Sequence, residues 1–242
     1  MRIRHLVHSC LLVELGGRRV LVDPGAFSAE AVRALGPEVL SAIDVVAITH
    51  QHTDHVSRAL LAEVLAASPE AVVVAEPETA TLLEQEDAGP MGEGPAVPRG
   101  RTLSLAAGAA HVFPAAAGEP ELRIEAVGGR HAIIHPDIPR VGNCGLVLRA
   151  GEGPRLGITG DSLEPVPEFH GIDVLAFAVV APWSKMSETI EFLREVRPVL
   201  ALPVHEAVAS ELGRPIFLRQ SAALAPAGTE VRDWGVDGQV EL

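Results

Sequence analysis

Residues 48 to 55 read ITHQHTDH. Three histidines and one aspartate (His50, His52, Asp54, His55) occupy six consecutive positions, just after the apolar run DVVAI and before the helix-like run VSRALLAEVLAA. Few stretches constrain a chain more tightly. Four ionisable side chains in a row cannot all be buried without partners, because a desolvated polar or charged group is costly. A solvated loop, in turn, has no need of three imidazoles. Metal binding accounts for both the residue types and their crowding. His50 and His52, two apart on an extended segment, can point to one side and share a cation. Asp54 and His55, just beyond, can turn to a second cation.

Four ligands do not complete two sites. His131 in GGRHA, Asp161 in GITGDS and His205 in LPVH each follow a strand-like run. Asp161 could bridge, since a carboxylate has two oxygens for two metals. Around these points the chain alternates apolar strands with helical patterns, and functional residues at strand ends are the expected layout of an α/β protein. IRHLVHSCLLVEL and RRVLVDPG read as paired strands joined at Gly16-Gly17. SAEAVRALGPEVL reads as a helix that ends near its Gly-Pro; PETATLLEQE, MSETIEFLREV and PIFLRQSAAL read as helices, and AAHVFPAA as a strand. Residues 88 to 100 are rich in Gly and Pro and read as a surface loop.

The 242 residues suit one domain over 1–242, and 48% of them are hydrophobic, enough for a full core. No charge-free apolar run is long enough to span a membrane, and the N-terminal stretch does not read as a signal peptide. Cys10 and Cys144 lie in apolar runs and read as reduced core thiols, which fits the cytoplasm. A net charge of −13 argues against nucleic acid as a partner. A small-molecule substrate is expected; self-association stays open. There is no tyrosine, and Lys185 is the only lysine.

The ordered set HS at 8 to 9, VLVDPG, THQHTDH, GGRH, GITGDS and LPVH resembles the metallo-β-lactamase fold superfamily, over most of the chain. The order is most similar to L-ascorbate-6-phosphate lactonase-like (UlaG-like) hydrolases. The resemblance implies a four-layer αββα sandwich. It implies His50, His52 and His131 at a first metal, Asp54, His55 and His205 at a second, and Asp161 between them. It implies that Asp23 stands behind the ligands, orienting a ligating imidazole and raising its basicity. The implied activity is that of a binuclear hydrolase using a metal-bridging hydroxide on a small ester, lactone or phosphodiester, with Asp54 as ligand and proton acceptor. Zn²⁺ is the first expectation and Mn²⁺ the second. Diiron members carry Glu where this chain has His52, and imidazole suits zinc.

Two other readings use the same residues. An RNase Z-like nuclease would need a basic surface or an RNA-gripping arm, which the charge and loop lengths disfavour. A non-catalytic metal-binding protein on the same fold would not need seven ligands. His8, in a strand-like run, reads as a buried hydrogen-bonded residue or a neighbour of the metals. His135, Ser184 and Lys185 are candidates for substrate contact, against a solvated loop for the first and a capped turn for the others. Trp183 is a further candidate at the mouth. His5, His111 and His170 read as structural or surface residues. Loops 24 to 40, 88 to 100, 132 to 142 and 181 to 187 are the expected seat of specificity.

Overall fold

The computed structural model describes residues 1–86, 89–115 and 118–242. The loop expected over 88 to 100 and the strand expected over 109 to 116 each have one end outside those residues.

Two sheets of seven strands face each other. In the first, β1 (Arg2–Val7), β2 (Cys10–Leu15), β3 (Arg18–Val22), β4 (Val45–Ile48), β5 (Val72–Ala75) and β6 (Thr102–Ser104) lie in chain order, with β14 (Gln239–Glu241) added beside β1. In the second, β7 (Ala110–Phe113), β8 (Leu122–Gly128), β9 (Cys144–Ala150), β10 (Leu156–Ile158), β11 (Val174–Ala178), β12 (Leu200–Val204) and β13 (Glu230–Val231) do the same. Each sheet is antiparallel where hairpins join its strands and parallel where helices intervene, as chain connectivity requires.

Apolar alternation builds the layers. Leu11, Val13, Val20 and Val22 of the first sheet meet Ile124, Leu146, Leu148 and Leu202 of the second in one core between the sheets. The opposite face of the first sheet, through Leu12, Leu21 and Val46, packs on Leu60, Leu61 and Val64 of α3 (Arg58–Ala67). The opposite face of the second packs Leu175 and Phe177 on Phe192, Leu193 and Val196 of α5 (Met186–Val196). The layers therefore run helix, sheet, sheet, helix. Burying one such Leu, Val or Phe side chain contributes about 1.5–3 kcal/mol, so the three cores can carry a site that is itself polar and costly to bury. No helix among the described residues is long and apolar enough to cross a membrane.

Three local readings change. The run IRHLVHSCLLVEL is two antiparallel strands, not one, and it turns at His8-Ser9 with Val7 opposite Cys10. His8 takes φ +60°, a left-handed conformation that no glycine announces. The helix read in SAEAVRALGPEVL ends near its Gly-Pro, as α1 (Ala29–Arg33), but a second short helix, α2 (Pro37–Leu40), follows Gly36 at φ +82°. In the Gly/Pro-rich stretch, Met91 and Val97 are buried against the α3 layer, so it is not wholly a surface loop. The other long helix patterns appear as α4 (Pro77–Leu83) and α6 (Arg214–Leu224).

Candidate metal centre

The site forms where strand ends of both sheets converge. His50 follows β4, His131 follows β8, Asp161 follows β10 and His205 follows β12. The loop at 49 to 57 is laced to the segment after β3. Thr49 N–H donates to Asp23 Oδ1, Ala26 N–H to Thr53 O and Ser57 N–H to Pro24 O, at 2.8, 2.8 and 3.1 Å. Gly25 is required there: a Cβ would lie 1.8 Å from the Asp54 carbonyl oxygen. Asp161 is set by Asn143, whose Oδ1 accepts the Asp161 N–H at 2.9 Å. Cys144 N–H donates to Thr49 O, tying the second sheet to the first beside the site.

Two groups of ligand-type atoms result. His50, His52, His131 and Asp161 form one, and His8, Asp54, His55 and His205 the other; within each group the atoms lie within 4.8 Å of one another. Asp161 reaches both. Its Oδ2 is 3.2 Å from His131 Nε2 and 3.8 Å from His50 Nε2, while its Oδ1 is 3.0 Å from His55 Nε2 and 3.1 Å from His205 Nε2.

The ring orientations are set from behind. His55 Nδ1–H donates to Asp23 Oδ2 at 2.8 Å, His131 Nδ1–H to Ala132 O at 2.7 Å and His205 Nδ1–H to Val180 O at 2.9 Å. Thr49 Oγ1 gives its proton to Asp23, so it accepts from His50 Nδ1 at 3.1 Å. Each of these four rings thereby turns Nε2 toward the centre. His52 turns Nδ1 inward, 3.1 Å from His50 Nε2. With the His52 proton on Nε2 both facing nitrogens carry lone pairs, and a cation between them would take both. Asp161 Oδ1 and His205 Nε2 are buried 3.1 Å apart without a well-aligned hydrogen bond. The donors are imidazole nitrogens and carboxylate oxygens, a set suited to divalent first-row metals. The residues fit the group.

Electrostatics tell the same story. Burial works against the Asp161 carboxylate, yet its imidazole neighbours, the charge of His55 first, hold its pKa well below the usual range. Burial also disfavours charge on His55, but Asp161 and Asp23 outweigh it and raise its pKa well above the usual value. Without metal, His55 is thus an imidazolium sandwiched between two carboxylates. His50, with no such pair, is kept neutral by burial and by the charge of His55. Burial opposes the Asp54 carboxylate, but the His8 hydrogen bond and the His55 charge bring its pKa down to about 2.

The candidates for substrate contact lie further out. His135 is exposed, with Nδ1 3.6 Å from Asp137. Lys185 is exposed and faces Glu188 at 3.7 Å, and Ser184 Oγ reaches Ala181 O at 3.5 Å. The residue before them comes closer: Trp183 Nε1–H donates to Asp161 Oδ2 at 2.8 Å. On Trp183 opens a cavity of about 790 Å³, lined also by Ile133, Arg140, Leu163 and Phe192. His170 is exposed and His111 half-buried; His5 stacks on Trp234. Glu206 had no signal in the sequence beyond following His205, and it bonds the backbone of His8.

A family model described as beta-lactamase superfamily domain matches residues 2–205. The chain belongs to that superfamily. Protein Rv0786c of Mycobacterium tuberculosis is 38% identical over 218 residues, 90% of this chain and 89% of its own length. An Aeropyrum pernix protein named UPF0173 metal-dependent hydrolase is 33% identical over 72 residues, 30% of this chain and 28% of its own. Among solved structures, Igni18, a metallo hydrolase from Ignicoccus hospitalis, superposes with a TM-score of 0.66 at 18% identity, covering 100% of this chain and 98% of that one. With superfamily membership and two His/Asp groups able to take metal, this chain is a metal-dependent hydrolase.

Proposed function

We propose that the protein is a binuclear metal-dependent hydrolase acting on a small ester, lactone or phosphodiester, within a single domain over 1–242 and with chemistry akin to that of the L-ascorbate-6-phosphate lactonase-like hydrolases. The observation that carries the reading is Asp161, which turns one carboxylate oxygen to each cluster. His50, His52 and His131 would hold one cation, Asp54, His55 and His205 the other, and Asp161 both. Zn²⁺ suits the nitrogen-rich set best, with Mn²⁺ second. When bound, the cations would lower the pKa of a water toward neutrality and polarise the scissile carbonyl or phosphoryl oxygen.

The chain's own residues do the rest. Asp23 fixes His55 through Nδ1 and so keeps Nε2 aimed inward. Asp54 is partly open to solvent, 24% exposed as a side chain, and can take a proton from water at the mouth. Trp183 holds Asp161 from outside and shields it from bulk water. The cavity on Trp183, beside the ligand residues, offers an organic substrate a mixed wall, apolar at Ile133, Leu163 and Phe192 and charged at Arg130, Arg140 and Glu164. Cys10 and Cys144 are free and buried, and burial pushes their thiols up to about 12 and about 11. That supports inert, reduced cysteines and a cytoplasmic setting.

The test is a screen of lactones, carboxyl esters and phosphodiesters with protein reloaded with Zn²⁺ or Mn²⁺. Turnover that disappears with a chelator and returns with metal is expected. Absence of turnover across all three classes in protein shown to hold metal would overturn the reading.

A further inference from the structure

We propose that His8, although it stands among the ligand atoms of the second cluster, is not a metal ligand but the residue that positions Asp54. The inference rests on the binuclear reading above and concerns one of its clusters.

The argument is one of ring tautomers. His8 Nδ1 lies 3.3 Å from the Ala207 N–H, a group that can only donate. His8 Nε2 lies 3.1 Å from Asp54 Oδ2, an atom that as carboxylate can only accept. Both contacts are met by one arrangement: the proton on Nε2, the lone pair on Nδ1. A pyrrole-type Nε2–H has no lone pair for a cation, and the Nδ1 lone pair is already taken. His50, His55, His131 and His205 are set the other way, with Nδ1–H anchored behind and Nε2 turned inward. The second cluster then reduces to Asp54, His55 and His205 with Asp161 Oδ1.

The backbone holds His8 in that role. His8 O accepts from His205 N–H at 3.1 Å and from His5 Nε2–H at 2.9 Å. His8 N–H donates to Glu206 Oε1 at 3.3 Å. Residues 205 to 207, which follow β12 in the second sheet, thus grip His8 at three points in the turn between β1 and β2 of the first. His8 and His205 both sit in the left-handed region, at φ +60° and +67°. Strain of that kind persists where the surroundings over-determine it. A carboxylate oxygen has lone pairs for a cation and for an N–H together, so His8 can fix the Asp54 carboxylate without displacing it from the metal.

The experiment is ¹⁵N NMR of imidazole nitrogens in the wild-type protein, metal-free and zinc-loaded, with His8→Leu and His8→Gln as variants. The expected spectrum assigns His8 as the Nε2–H tautomer in both states, with neither nitrogen shifted by zinc. At saturating zinc, His8→Leu keeps the wild-type metal content but loses activity by about 10–100-fold, as when the partner of a ligand is removed. His8→Gln, whose amide can still donate to Asp54, recovers part of that loss. A zinc-shifted His8 Nε2, one metal fewer in both variants, or wild-type turnover in His8→Leu would each overturn the proposal. Should His8→Leu fail to fold, the wild-type spectra decide. Wild-type protein that takes up no zinc would instead overturn the binuclear reading, and the His8 tautomer would still be readable in it.

Discussion

The two clusters differ in what they bring of their own. The first offers three imidazoles, with His50 and His131 fully enclosed, and its only carboxylate is the shared Asp161. The second adds Asp54, partly exposed, and a neighbouring His8 that donates to it. The first is a nitrogen-rich pocket with His52 at its half-buried edge; the second has a carboxylate of its own at its half-buried edge. One loop, 50 to 55, serves both, so the difference comes from where the loop turns and from what meets it. The lesson is that a single dense motif supplies half of each cluster, while the division of labour is set by the strand ends that arrive from the second sheet.

Removing the shared residue should erase the comparison most completely. Asp161→Ala is expected to lower hydrolysis by about 10²–10³-fold, the scale for losing a major electrostatic group. Its circular dichroism should stay near native, with roughly one metal per chain left. Unchanged rates would show that Asp161 does not join the clusters.

Next come substitutions that hit one cluster each. His52→Ala and His205→Ala should each cost one metal of the pair and toward 10² in rate. His170→Ala, at the surface, should cost nothing measurable. Elemental analysis beside kinetics separates these, and equal mild effects in all three would refute the division.

A smaller effect is expected behind the ligands. Asp23→Ala frees His55 Nδ1 and should weaken metal affinity by about tenfold or somewhat more. Zinc titration with a competing chelator measures it, and native affinity would remove Asp23 from the account.

The pH dependence sharpens the contrast most gently. His55 has a raised pKa and carries a proton in the metal-free protein, so a cation must displace that proton. Affinity should therefore fall as pH falls, and uptake should release protons. His50 is held neutral and adds nothing to the release. Calorimetry in buffers of differing ionisation enthalpy reads the proton count. Zinc uptake without proton release would contradict this arrangement.

Much of this was legible in the sequence, and unevenly so. The cluster at 50 to 55 announces itself because ionisable residues crowd at a strand end. The Gly16-Gly17 hairpin was legible because both glycines take positive φ, at +59° and +69°. The turn at His8-Ser9 was not legible, because two non-glycine residues turn there and the apolar alternation runs straight across it. Its geometry depends on residues 205 to 207, about two hundred positions away. β14 was hidden for the same reason: three residues pair with β1 from the far end of the chain. Trp183 was legible only as a residue near the mouth, since nothing local shows that its indole reaches Asp161.

Metal content of the wild-type chain tests the central claim most directly. Protein stripped with chelator, reloaded with Zn²⁺ and freed of excess should hold two ions per chain by elemental analysis and by native mass spectrometry. A reproducible content near zero that neither Zn²⁺ nor Mn²⁺ restores, or saturation at a single ion, would contradict the account.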